Sequence, residues 1–249
     1  MVLAGLLTAG RAVGAARAKN ETLQKLVMLI AEAEYSTAET LPAFAANHLE
    51  KDFCVVILIG SLEPGANGFD RIEEVASADL LLVSVRRRLL PPGQLDLIRR
   101  HVAAAKPVVG IRTASHAFAP SRNQAVPAGA AAWLEWDNEI MGGSYNGHYG
   151  NTDYPTITAA APASPILRGL RLPYTLKYSL YRTSPLQPGA QPILMGTIPG
   201  HPSEPVAWTF THRGGGRAFY TSLGIPEDFT DPGFNAFLRN AILWAAGSQ

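Results

Sequence analysis

The chain has 249 residues, 47% of them apolar and 16% charged, with a formal net charge of +1. That composition is too apolar for a disordered chain and too weakly basic for a nucleic-acid surface. A single cysteine, Cys54, excludes an internal disulfide. No stretch reaches the roughly 18 consecutive apolar residues of a membrane span.

Residues 1–24 read as an N-terminal extension or a signal segment. The apolar run Val2–Gly10 is short and Ala16-Arg17-Ala18 offers small residues for cleavage, but no Lys or Arg precedes the run. The compartment stays open, with the cytoplasm slightly favoured. From residue 25 to 249 the pattern reads as one domain.

Lys25–Ala31 (KLVMLIA) is a continuous apolar run, as in a strand covered on both faces. Ser36-Thr37-Ala38-Glu39 has capping-box spacing, and Leu41, Phe44, Ala45 and Leu49 then share one helical face. Pro42 requires that this helix start close by. Phe53–Ile59 (FCVVILI) reads as a second buried strand, which puts Cys54 in the core. A short helix near Ile72–Ala76 leads to a third strand, Asp79–Val85. Pro92 suits a first helical position, with Leu95, Ile98 and Val102 as the buried stripe. Pro107–Ile111 is a fourth strand. Strand–helix alternation at this spacing predicts βαβ units and a mostly parallel sheet flanked by helices.

The second half is less regular, with an irregular insert at about 119–155. Thr156–Ala160, Tyr174–Tyr181 and Ile193–Ile198 read as strands. Val206–Thr211 and Arg217–Leu223 flank His212-Arg213-Gly214-Gly215-Gly216, which predicts a hairpin. A last helix spans about Pro232–Ala246, with Gly247 as its C-terminal stop.

Ligands of open α/β sheets bind outside the carboxyl ends of the strands. Polar residues gather after three of these strands: Glu32, Glu34 and Tyr35; Ser84 and Arg86, Arg87 and Arg88; Arg112, Thr113, Ser115 and His116. A fourth group is the glycine-rich stretch Met141–Tyr149. We expect Glu34, Arg86 or Arg87, Arg112, His116 and His148 to line one pocket.

Several segments together resemble the ThuA-like (trehalose utilisation) family of the class I glutamine amidotransferase-like superfamily. Gly110-Ile111-Arg112-Thr113-Ala114-Ser115-His116 stands where that superfamily has its strand-to-helix elbow. Met141-Gly142-Gly143-Ser144-Tyr145-Asn146-Gly147-His148 is similar to the family's two glycines, aromatic and histidine. Ser164–Leu170 resembles its HPI..GL segment, while Pro205–Trp208 and Arg217–Gly224 resemble its closing hairpin. Trp244–Gly247 matches the last helix. The resemblance implies a flavodoxin-like fold with a C-terminal hairpin and helix, a strained residue at 112, and a link to carbohydrate metabolism. The sequence departs from the pattern at three points. Arg112 replaces the elbow cysteine or histidine, Ser164 the HPI histidine, and Ile225 a further histidine.

These departures shape the functional expectation. Glutamine hydrolysis needs an activated thiolate, and Cys54 is not at the elbow. Ser115 beside His116 lacks the G-x-S-x-G frame of a serine hydrolase. The reading is a carbohydrate site without amidotransferase activity, acting on a sugar or sugar acid by acid/base chemistry. Glu34 is the base, His148 the complementary acid, and His116 a third catalytic candidate. Tyr35, Arg86, Arg87, Arg112, Asn146 and Tyr149 are the substrate-binding candidates, with Tyr145 a further ring for a sugar face. The alternatives are a non-catalytic sugar- or anion-binding domain, or a metal-dependent hydrolase using His116, His148 and Glu34. The expected partner is a small molecule, with no nucleic acid, no cofactor and no resident metal; a homo-oligomer stays open.

Overall fold

The computed structural model describes residues 23–63 and 66–248. The expectation of an N-terminal extension or signal therefore lies almost wholly outside the described residues.

The first half builds as the pattern predicts. The strands are β1 (Gln24–Ala31), β2 (Phe53–Ile59), β3 (Leu80–Val85) and β4 (Val108–Ile111). The helices α1 (Thr37–His48) and α2 (Pro92–Ala103) lie between them. The second half adds β5 (Thr156–Ala159), β6 (Tyr174–Thr175), β7 (Gln191–Thr197), β8 (Glu204–Thr211), β9 (Arg217–Thr221) and helix α3 (Pro232–Ala245). Of the segment Tyr174–Tyr181, expected as a strand, only Tyr174–Thr175 joins the sheet, while Tyr181 makes an isolated bridge to His148. Gly247 stops α3 as expected: at φ 79 it donates to Trp244 O, and Ser248 donates to Leu243 O.

All nine strands form one sheet in the order β2-β1-β3-β4-β9-β8-β7-β5-β6. The expected mostly parallel sheet is corrected here. Pairings from β2 to β9 are parallel, four in all, and those from β9 to β6 are antiparallel, again four. The reason is the connections: strands β7 to β9 are joined by short turns, which only antiparallel neighbours can use. The parallel part keeps the doubly wound order 2-1-3-4-5 of flavodoxin-like sheets, which reverses direction between β1 and β3.

Alternate residues of β1 face opposite layers, as a period of two requires. Leu26, Met28 and Ile30 pack with Leu41 and Phe44 of α1 and with Phe237 and Leu238 of α3. Val27 and Leu29 pack with Leu95, Ile98 and Val102 of α2 and with Trp133 and Trp136 from the insert.

Expectations fail in two places, at the start of α1 and in β2. Ser36 does not cap α1; its backbone is left-handed, at φ 49, and its side chain makes no cap bond. Glu32 does the work instead. Buried at 3% exposure, it accepts from the N–H groups of Glu34 (2.7 Å), Tyr35 (2.8 Å) and Thr37 (2.9 Å), and from the Thr37 hydroxyl. A carboxylate at the first turn also complements the helix dipole. Pro42 sits inside α1 rather than at its start.

The second failure is Cys54. It is exposed, because β2 is the terminal strand of the sheet and only one of its edges is paired. An apolar run marks a strand but not its place in the order. Ile59 at the end of the same strand is 53% exposed.

Two measurements check these points. Glu32→Gln puts an amide N–H against backbone donors and should lower stability by about 2–3 kcal/mol, a melting shift of roughly 5–10 °C. An unchanged midpoint would show that the loop holds without the carboxylate. Cys54 should react with a small maleimide in the folded protein; labelling that waits for unfolding would contradict its exposure.

Candidate functional site

The turn after β4 carries the arginine. Ile111 is extended and Arg112 takes φ 51, after which Arg112–His116 forms a 3-10 turn. A left-handed backbone at a non-glycine residue costs about 1–3 kcal/mol and persists only where its surroundings hold it. Those surroundings are visible. Tyr220 on β9 donates its hydroxyl to Arg112 O at 2.5 Å, and Trp136 donates to Ala114 O at 2.8 Å. Residues 87 and 88, just past β3, donate their N–H groups to the carbonyls of His116 (3.1 Å) and Ala117 (2.7 Å). Gly110 lets the insert close over β4, since a Cβ there would stand 2.4 Å from Met141 Sδ.

The Arg112 side chain is 1% exposed. Its guanidinium carbon lies 3.8 Å from the ring centre of Tyr35, 4.6 Å from Tyr181 and 5.3 Å from Tyr178. Nη1 donates to Ser222 O beyond the end of β9. Burial works against its charge, but Tyr181, Tyr35 and Tyr220 outweigh that and hold it firmly protonated. Tyr35 and Tyr181 join hydroxyls at 2.8 Å. Burial pushes the Tyr181 phenol far up, although Arg112 pulls the other way.

The glycine-rich stretch is brought alongside by backbone pairing. Asn146 and Tyr149 donate to Arg182 O and Leu180 O, with His148 paired to Tyr181 between them. Tyr145 packs on Tyr181 at 4.6 Å and on His116 at 4.8 Å. Its hydroxyl meets His148 Nδ1 at 2.6 Å. Burial raises the Tyr145 phenol, helped by Tyr35 and Glu34 and opposed by Arg87 and Arg86.

A cleft of about 360 Å³ opens at the carboxyl ends of β1, β2 and β3, where the strand order reverses. Glu34, Arg86, Arg87, Ser61 and Asn67 line it. Glu34 Oε1 and Arg86 Nη2 pair at 2.8 Å, both about two-fifths exposed. Arg87 donates to Pro120 O at 2.8 Å. Arg88 also lines the cleft and holds the loop after β2, donating to Ser61 O and Asn67 O among others.

The expected residues therefore gather only in part. Glu34, Arg86 and Arg87 share the cleft. Tyr35, Arg112, His116, Tyr145 and His148 form a contiguous cluster beside it and do not line it. Asn146 is exposed, with its amide on Ser144 O. Tyr149 packs on His201 and lies near Arg182 instead. His116 is buried, and burial with Arg87, Arg86 and Arg112 pushes it down to about 3. It is neutral at every physiological pH and cannot serve as a cationic acid. Among the described residues no three His, Cys, Asp or Glu side chains group as a metal would need, so His116, His148 and Glu34 are not a ligand set. Tyr178 and Tyr181 were missed from sequence, although tyrosines at 174, 178 and 181 recur there.

The family model ThuA, trehalose utilisation, matches residues 26–245. The chain belongs to the ThuA family. A ThuA-like protein from Bacteroides uniformis ATCC 8492 superposes with a TM-score of 0.67 at 14% identity, over 94% of this chain and 95% of that one. A second, from Parabacteroides merdae ATCC 43184, gives 0.66 at 16% identity, over 92% and 91%. A β-galactosidase from Rahnella sp. R3 shares the fold over 92% of this ThuA chain but 32% of its own, with a TM-score of 0.59 at 12% identity. Among curated proteins no sequence matches significantly. Among the described residues no helix is long and apolar enough to cross a membrane.

The depressed His116 sets an acid response. Unfolded, the ring binds a proton near its ordinary 6.5; folded, only near about 3. Its contribution is complete above about pH 6.5 and is lost as pH falls toward 3, because only the unfolded chain takes up the proton. His101, held down to about 4 by burial, acts in the same direction. Denaturant unfolding from pH 7 to 4 should show stability falling less steeply in His116→Gln than in wild type. Equal slopes would mean that His116 titrates normally.

Proposed function

We propose that this ThuA protein binds a carbohydrate at the carboxyl edge of its sheet, in the cleft where the strand order reverses. The observation that carries the reading is the Glu34–Arg86 pair in that cleft, with Arg87 beside it. Half-exposed, the pair offers an acceptor and a donor side by side. A vicinal diol, whose hydroxyls donate and accept together, needs that combination. The trehalose-utilisation description of the family points to the same ligand class.

Proton exchange with a sugar in the cleft falls to Glu34, while His148, whose Nδ1 is fixed by Tyr145, stands in the cluster beside it. His116 is a neutral wall in this reading, and binding is better supported than catalysis. Oxygen and nitrogen groups left without partners by a wrong ligand would each cost about 1–3 kcal/mol, which gives such a cleft its selectivity.

A thermal-shift panel of monosaccharides, disaccharides and sugar acids tests the proposal. A ligand at 100 times its dissociation constant should add about 2.7 kcal/mol, or roughly 5–10 °C in a domain of this size. Glu34→Gln and Arg87→Ala should each weaken that shift, and neither should unfold the protein, since Glu34 sits in an exposed ion pair worth about 0–1 kcal/mol and Arg87 makes one side-chain bond, to Pro120 O. A panel without any shift, or a shift indifferent to both substitutions, would refute the cleft as the site.

A further inference from the structure

The guanidinium of Arg112 is buried, yet only one of its three nitrogens has an acceptor. Nη1 reaches Ser222 O, while Nε and Nη2 meet none. Covalent geometry sets the Nε and Nη2 hydrogens side by side along one edge of the group. That edge is the fork that takes two oxygens of a carboxylate or a phosphate at once.

The surroundings fill it only in part: the Tyr35 hydroxyl interacts with the guanidinium, but neither Nε nor Nη2 has an acceptor in hydrogen-bonding geometry. The rings of Tyr35, Tyr181 and Tyr178 stabilise the positive charge, but ring faces accept nothing in the guanidinium plane. Among the described residues Arg112 forms no ion pair with a carboxylate. Asp228 is near enough to feel its charge, but Asp228 Oδ2 is engaged by the N–H groups of Gly224 (2.7 Å) and Ile225 (3.1 Å). Charged donors left without an acceptor in a buried position are costly, and each calls for a specific reason. Arg112 is also held in a left-handed backbone, so its placement is maintained against strain.

Resting on the carbohydrate reading above, we infer that Arg112 is an oxyanion subsite of the same region, built for the carboxylate of a sugar acid or the phosphate of a sugar phosphate. The anion sits on the Nε–Nη2 edge. Tyr178 is the wall that must move to admit it, because it is partly exposed while Tyr35 and Tyr181 are buried and bonded to each other. Tyr35, which follows the cleft residue Glu34, stacks on Arg112 and links the two places.

Calorimetric titration of the full chain with glucose, gluconate, glucose 6-phosphate and inorganic phosphate tests this, using wild type, Arg112→Met, Arg112→Lys and Tyr178→Ala. Wild type should prefer one charged sugar over glucose by about tenfold or more. Gluconate as the preferred form identifies a carboxylate, and glucose 6-phosphate a phosphate. Arg112→Met should bring the preference close to one, and Arg112→Lys should leave it intermediate, since an ammonium has charge but no fork. Should Arg112→Met fail to fold, Tyr178→Ala decides: a changed charged-to-neutral ratio supports the subsite and an unchanged ratio overturns it. Equal binding of charged and neutral sugars, indifferent to Arg112, overturns the subsite and spares the carbohydrate reading. Inorganic phosphate bound through Arg112 with no sugar bound does the reverse, and a chain that binds none of the four overturns both.

Discussion

The carboxyl edge of this protein is organised around one buried positive charge. Arg112 ties the end of β4 to the end of β9 through Ser222 O and, by its own carbonyl, to Tyr220. Its guanidinium gathers Tyr35 from the loop after β1 and Tyr178 and Tyr181 from the segment after β6. Four stretches distant in sequence thus meet at a group that burial alone would disfavour. Desolvating a charge costs several kcal/mol, by order of magnitude, so the ring faces and the single carbonyl are what make the position tenable.

That charge governs the chemistry next to it. Arg86, Arg87 and Arg112 all bear on His116, and together with burial they keep the imidazole neutral. The same edge leaves Glu34 exposed and paired, and it leaves His148 at the surface against Tyr145. Positive potential beside neutral donors suits hydroxyls and oxyanions. It is a poor setting for a cationic acid, and Cys54 lies at the amino end of β2, away from the carboxyl edge.

Much of this was legible in the sequence because strand and helix periods are local properties. β1 to β4, the buried stripes of α1 and α2, the glycine hairpin and the end of α3 all follow from short-range pattern. The left-handed turn at Arg112 was implied by resemblance. What failed depends on order in space. Cys54 belongs to an apolar strand, but the sequence does not say that β2 is terminal. Ser36 has the spacing of a cap, yet Glu32, four residues upstream, reaches the α1 N-terminus with better donors to satisfy. Beyond the β8–β9 hairpin, the antiparallel half came from connections too irregular to read. Tyr178 and Tyr181 matter only because the chain returns to β1 and β4, a long-range event that no window of residues contains. Asn146 and Tyr149 sat in the right stretch, but Asn146 faces solvent and Tyr149 packs on His201, partners that the stretch itself does not contain.

The position of β9 has a consequence for how the molecule assembles. On one side it pairs with β8 across a tight turn, residue 211 against residue 217. On the other it pairs with β4, residue 108 against residue 218, more than a hundred residues away. The first contact is a hairpin that forms within about 1–10 μs. The second closes a long loop, and topologies dominated by such pairings fold orders of magnitude more slowly. The bond from Arg112 to Ser222 spans that late closure. During synthesis the βαβ half emerges first, and the residues that complete the arginine's surroundings leave the ribosome only with the last part of the chain. The surroundings of Arg112 are accordingly completed only by that late closure, and a truncated or stalled chain would carry its arginine uncovered.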